Sequence, residues 1–283
     1  MPITVPDLTD VVTAATPPLL FATVSGAHLY GFPSTDSDVD LRGVHLLAVE
    51  EVIGLRVGSE TVDRTWTRDG VEIDLVTHDL IKFARLLLKP NGYVLEQLLS
   101  PLVVLTSEAH RELVDLAPGL LTSRHAHHYQ GFARNQLALF ESTGEIKPLL
   151  YTFRALLTGL HLMRTGTVDA CLPNLGGPAY LADLIAAKRE GEHLALPADA
   201  PSMDRVAADI ADLHAELEDA RSASALPDQP TVSEPVHELV VRVRLGHAEP
   251  RRVGESGGAD ERHPRSVDVK PQGSPRDATR PRS

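Results

Sequence analysis

Apolar positions follow two different periods along the chain, and the change of period divides it. Near the N-terminus, Asp7 can cap a short helix running to Ala15. The unbroken apolar run Leu19–Val24 then reads as a buried strand. Residues 25–37 carry Gly26, Gly31 and Pro33 and read as a loop, and Val39–Leu47 reads as a second strand. Glu60–Thr67 and Val71–Thr77 are rich in β-branched residues and are joined by Arg68-Asp69-Gly70, a hairpin signal. The period then lengthens. Leu80, Ile81, Phe83, Ala84, Leu87 and Leu88 recur at helical spacing, with Thr77 as the expected cap and Lys89-Pro90-Asn91-Gly92 as the stop. A short helix over Tyr93–Leu99 ends at Pro101. Beyond about residue 106 the strand signals fade. Helices are expected over Glu108–Leu116, His125–Ser142, Lys147–Arg164, Ala179–Arg189, Met203–Ala220 and Glu234–Leu245. The expected fold class is α+β: a small mixed domain over 1–105, an all-helical domain over 106–246, and a tail over 247–283.

Composition sharpens this outline. Arg251–Ser283 is rich in Gly, Pro, Ser and Arg and almost without large apolar residues, so it cannot offset its chain entropy and is expected to be disordered. In it eight basic residues face five acidic ones, leaving +3 there and -15 on the rest, from a net -12. That balance excludes a generic nucleic-acid coat or polybasic membrane binder, and no extended nucleic-acid footprint is expected. A single cysteine, Cys171, excludes an intrachain disulfide framework and a cysteine zinc site; it is expected to be a small packed residue. A secretory leader and a long apolar run are both missing from the sequence, so a cytoplasmic, membrane-free protein is expected.

The chemistry concentrates in Ser25-Gly26-Ala27-His28-Leu29-Tyr30-Gly31 and Ser34-Thr35-Asp36-Ser37-Asp38-Val39-Asp40-Leu41-Arg42-Gly43. Asp38 and Asp40 lie two apart at a strand start, so their carboxylates project from one face. Such a pair is tolerable if both groups are solvated or if a cation bridges them. Mg²⁺ suits a site of a few carboxylates with positions left for water and phosphate oxygens. Along Val71–Val76, Glu72 and Asp74 point away from the apolar face. Asp74 joins the pair if this strand lies beside Val39–Leu47, and three carboxylates can hold two metals. Backbone at Gly26 can approach a phosphate where a larger residue would block it.

This order and spacing resembles the DNA polymerase β-like nucleotidyltransferase superfamily: Gly-Gly/Ser, a spacer, Asp-x-Asp/Glu, then a third acid on a later strand. The longer string from Gly26 to Val44, with Lys89-Pro90-Asn91-Gly92 and Leu95-Glu96 downstream, is similar more narrowly to the YcgL type, also described as the RNA-repair-pathway polymerase β family. Similarity is good over about 20–105. It is weaker over the helical part, carried by Lys147-Pro148-Leu149-Leu150-Tyr151 and Arg154-Ala155-Leu156-Leu157. The resemblance implies a nucleotidyltransferase fold, a short mixed sheet flanked by helices, followed by a helical domain. It implies transfer of a nucleoside monophosphate from an NTP to a hydroxyl, with two Mg²⁺ or Mn²⁺ ions and release of pyrophosphate. Asp38, Asp40 and Asp74 would be the catalytic and metal-ligating residues. Ser25, Gly26, Ala27, His28, Ser37 and Arg42 would face the nucleotide. Family members usually carry Ser where this chain has Ala27.

Three functions follow from the resemblance: addition to an RNA end, the same chemistry on a small-molecule or protein hydroxyl, or a catalytically degenerate nucleotide- or partner-binding module. Arg42 either contacts phosphate or pairs with the acids. Lys82, Lys147 and Arg154 are candidate cations for a triphosphate, or else lie on solvated helix faces. Trp66 either packs or stacks on a base. His125, His127 and His128 lack the spacing of a metal site and are expected at a surface helix start.

Overall fold

The apolar run at Leu19–Val24 forms β1, and it is joined by β2 (Val39–His45), β3 (Thr61–Arg68), β4 (Val71–Asp79) and β5 (Val103–Leu105) in one sheet of order β3-β4-β2-β1-β5. The computed structural model describes residues 7–191, 193–197 and 200–246, and the expected tail over 247–283 lies outside them. Pairings in the sheet are antiparallel except that of β2 with β4, which is parallel. The β3–β4 hairpin turns on Asp69 (φ 52°) and Gly70 (φ 81°), two left-handed residues in succession, as the Asp-Gly signal requires.

Alternation along β2 and β4 sends Val39, Leu41, Ile73 and Leu75 to one face. There they pack with Leu8 and with Val12 of α1 (Thr9–Thr13). Asp40, Arg42 and Asp74 leave from the other face. The expected loop after β1 contains a one-turn helix, α2 (Gly26–Tyr30), because Ala27, Leu29 and Tyr30 have an apolar core to enter. Glycines at both its ends disguised it as a loop. A second short helix, α3 (Val49–Ile53), follows β2.

β4 runs two residues beyond expectation, so α4 (Leu80–Leu87) is capped by Asp79, whose carboxylate accepts from Ile81 N at 2.9 Å. Thr77, the expected cap, stays in the strand and its hydroxyl lies 2.8 Å from His45 Nδ1. α5 (Gly92–Leu98) and α6 (Glu108–Leu116) complete the sheet's cover.

The remaining helices are α7 (His125–Thr143), α8 (Ile146–Thr165), α9 (Leu172–Leu175), α10 (Leu181–Lys188), α11 (Met203–Ala223) and α12 (Ser233–Gly246). α8 is apolar nearly all round and runs through the centre, as such a pattern demands. Its core is continuous with Ala27, Leu29, Tyr30, Phe32 and Leu95 from the sheet-bearing half. Among the described residues no helix is long and apolar enough to cross a membrane.

α12 returns to the sheet-bearing half, placing Val236 and Leu239 against Phe83, Leu87 and Leu113. Arg244 fastens it there: its Nη2 donates to both Asp79 carboxylate oxygens at 2.9 Å, and both residues are buried. Arg244→Met is expected to cost about 2 kcal/mol, the scale of a hydrogen bond to a charged group. Asp79 keeps its bonds from Ile81 N and Leu47 N, which limits the loss. The midpoint of urea unfolding measures it, and an unchanged midpoint would contradict the fastening role.

Candidate functional site

Parallel pairing of β2 with β4 sets Asp40 directly opposite Asp74 in register. This is the adjacency the sequence made conditional on strand order. Two half-buried carboxylates side by side repel, and the structure answers with a cation between them. Arg42 Nη2 donates to Asp40 Oδ1 at 2.6 Å and to Asp74 Oδ2 at 2.9 Å. Its Nη1 donates to the carbonyls of Leu41 (3.0 Å) and Asp74 (2.7 Å), and its Nε to Tyr93 Oη (2.8 Å). Burial opposes the guanidinium's charge, but Tyr93, Asp40 and Asp74 hold it protonated above its ordinary range. Burial pushes the Asp40 carboxyl up. Asp74 and Asp38 push the same way, while Arg42 and Lys147 oppose.

Gly26 meets this pair from α2. At φ +61° it is left-handed, and a Cβ there would lie 1.7 Å from Asp40 Oδ2. Bare backbone therefore lies directly against the carboxylate, and Ser25 N reinforces the approach by donating to Asp40 O at 2.8 Å. Asp38 is exposed, on the turn just before β2, and its charge reaches Asp40.

The other expected nucleotide contacts are placed differently. Ser25 and Ala27 are buried, and the Ser25 hydroxyl has no hydrogen-bond partner. His28 is half-buried in α2. Ser37 turns inward: its hydroxyl accepts from Ser34 N at 2.9 Å and lies 3.1 Å from the Nζ of the fully buried Lys188.

Of the three candidate cations, Lys147 at the start of α8 is close enough for Asp40 to feel its charge. Lys82 bonds the Thr61 hydroxyl. Arg154 is neither on a solvated face nor open to a triphosphate, because it is buried against Glu96 at 2.6 Å. Trp66 is part-buried and packs on the Val39–Ile73 cluster beneath the sheet. His125 is buried rather than at the surface, bonded to Thr122, and burial pushes its imidazole down to about 4. Burial likewise pushes the Cys171 thiol up, consistent with an unreactive packed group.

An all-oxygen donor set suits Mg²⁺ or Mn²⁺. Asp40 Oδ2 against Gly26, and Asp74 Oδ1 with only a 3.5 Å approach from the Thr65 hydroxyl, are the oxygens Arg42 leaves over. In chemistry these fit a hard divalent ion. Among the described residues no three metal-ligating side chains are already gathered as a cage.

A model of the RNA repair pathway DNA polymerase beta family matches residues 4–242. The chain belongs to this family. The match reaches from before β1 into α12, well beyond the stretch where the motif resemblance was good. A relative in Methanocaldococcus jannaschii named "Uncharacterized protein MJ0002" is 34% identical over 149 residues, 52% of this chain. The matched region spans 61% of that relative's length. A solved structure titled as a nucleotidyltransferase-like protein from Exiguobacterium sibiricum is similar at 12% identity and a TM-score of 0.29, covering 85% of this chain and 88% of that one.

Two residues escaped the sequence reading: Tyr93 at the site, and Lys188, which is bonded to the Ser34 and Ser37 hydroxyls. Tyr93 gave no signal, since its partner Arg42 is 51 positions away. Lys188 did give one: it closes the otherwise apolar Leu181–Ala187 stretch, where only Asp183 is charged. A lysine held fully buried needs oxygen partners, and Ser34 and Ser37 supply them.

Proposed function

We propose that this protein is a metal-dependent nucleotidyltransferase that moves a nucleoside monophosphate from an NTP to the hydroxyl of an RNA end. The observation that carries the reading is Asp40 and Asp74, in register on adjacent parallel strands, with the bare backbone of Gly26 against Asp40. Family membership supports RNA as acceptor. The acidic balance favours a short end over a long footprint.

Asp40 and Asp74, with Asp38 at the rim, would hold Mg²⁺ or Mn²⁺. Such ions supply Lewis-acid activation and neutralise the triphosphate. Gly26 lets the triphosphate come close to the carboxylates, and Lys147 adds positive charge on its approach. Asp74 helps to activate the acceptor hydroxyl, whose proton leaves to water. The acceptor oxygen then bonds to the α-phosphorus as the bond to the leaving pyrophosphate breaks.

The test is incubation with each α-³²P-labelled NTP, Mg²⁺ or Mn²⁺, and total RNA. Label is expected in RNA, with pyrophosphate released, and no label once EDTA is added. Label in protein or a small molecule with RNA unlabelled would overturn the RNA acceptor but keep the chemistry. Nucleotide binding with no transfer under either metal would overturn the enzyme reading and leave a binding module.

A further inference from the structure

We propose that Arg42 is a positioning residue that locks the Asp40–Asp74 pair into one arrangement, and that it does not bind substrate phosphate. The inference rests on the metal-dependent reading above. A guanidinium has five N–H donors, and here all five are accounted for: Tyr93 Oη, the carbonyls of Leu41 and Asp74, and one oxygen from each carboxylate. None is left to donate to a phosphate. The side chain is only 10% exposed, so a phosphate could reach it only by displacing protein partners.

The arrangement does three things. One positive charge between two negative ones offsets their mutual repulsion, so the two carboxylates can lie close together before any ion arrives. The planar fork fixes one oxygen of each carboxylate, leaving Asp40 Oδ2 at Gly26 and Asp74 Oδ1 toward Thr65 as the pair with freedom to ligate. Tyr93 and the two carbonyls fix the fork itself, tying the sheet site to the start of α5. A lysine could match the charge but not the geometry, because it has no planar fork.

The test compares wild type with Arg42→Met, Arg42→Lys and Tyr93→Phe. The readouts are thermal unfolding, Mn²⁺ uptake by the NTP-free protein (from the free-Mn²⁺ paramagnetic resonance signal), and kcat and NTP KM separately. Arg42→Met is expected to lower kcat about 100-fold with KM within about 2-fold, since a small misplacement of reacting groups carries that penalty. It should also bind Mn²⁺ about 10-fold more tightly, because a competing cation has gone. Arg42→Lys should keep wild-type Mn²⁺ affinity but not wild-type kcat. If Arg42→Met does not fold, Tyr93→Phe still reads the lock, with kcat down about 5-fold at constant KM.

A phosphate ligand predicts the opposite split: KM up tenfold or more with kcat kept. That result, or unchanged kcat and Mn²⁺ affinity in a folded Arg42→Met, overturns the inference alone. Wild-type protein that takes up no Mn²⁺ and transfers nothing overturns the proposed function along with it.

Discussion

Arg154→Met is expected to destabilise the protein by about 3–5 kcal/mol, the scale seen when one partner of a buried ion pair is removed. Arg154 on α8 and Glu96 on α5 meet at 2.6 Å with side-chain exposures of 3% and 1%. The guanidinium also lies over the Tyr30 ring, 4.0 Å from its centroid, so it joins α8 to both α5 and α2. Burial works against its charge, and Glu96 overcomes this and holds it protonated. Without Arg154 the buried Glu96 carboxylate is left without its charge partner. At roughly 2–4 °C per kcal/mol for a chain of this size, the melting temperature should fall by about 10 °C. The double variant Glu96→Gln with Arg154→Met removes both charges and should recover part of the loss. A melting temperature within about 2 °C of wild type in the single variant would mean that the pair contributes little to stability.

That ion pair also marks the limit of what the sequence disclosed. The faces of Asp40 and Asp74 were legible because alternation fixes which residues leave which side of a strand, but their adjacency waited on the strand order, and Asp38 lies just outside β2 rather than on it. Gly26 was legible as a point of close backbone approach, but the sequence assigned that approach to a phosphate, whereas the structure sets Gly26 against the Asp40 carboxylate. The fate of the cations was not legible. Lys147 and Arg154 lie seven apart on one helix, yet the first faces the site and the second is buried, because Glu96 lies 58 positions before Arg154. Arg42 has the same history: its pairing with Asp40 is local, whereas its bonds to Asp74 and Tyr93 depend on strand order and on where α5 begins. Local elements failed where a tertiary partner decided the outcome. Asp79 takes the cap of α4 from Thr77 because it also receives Leu47 N and Arg244. His125 is buried although its neighbours read as surface.

Asp40→Asn is expected to lower nucleotidyl transfer about 1000-fold, a loss of several kcal/mol of transition-state charge stabilisation. Asp40 is the residue every part of the site touches: opposite Asp74 in the register, bonded to Arg42, and against Gly26. An amide keeps the shape and can still accept from Arg42, so the fold should survive while the ligating charge is lost. Gly26→Ala tests the same carboxylate without changing any charge. Its Cβ would need the space of Asp40 Oδ2, 1.7 Å away, and its φ of +61° is strained for an L-residue by about 1–2 kcal/mol. Asp40 must swing aside, and a displacement of that size should lower kcat about 100-fold. Circular dichroism and unfolding curves, run beside the transfer assay, separate this from unfolding. Gly26→Ala should lose about 1–2 kcal/mol from its φ strain, with the displaced Asp40–Arg42 bond in addition, and Asp40→Asn about 1–2 kcal/mol because the Arg42 bond loses its charged acceptor. Full activity in a folded Gly26→Ala protein would mean that Asp40 works from a different position than the one Gly26 makes room for. Full activity in Asp40→Asn would remove the carboxylate pair from the reaction altogether.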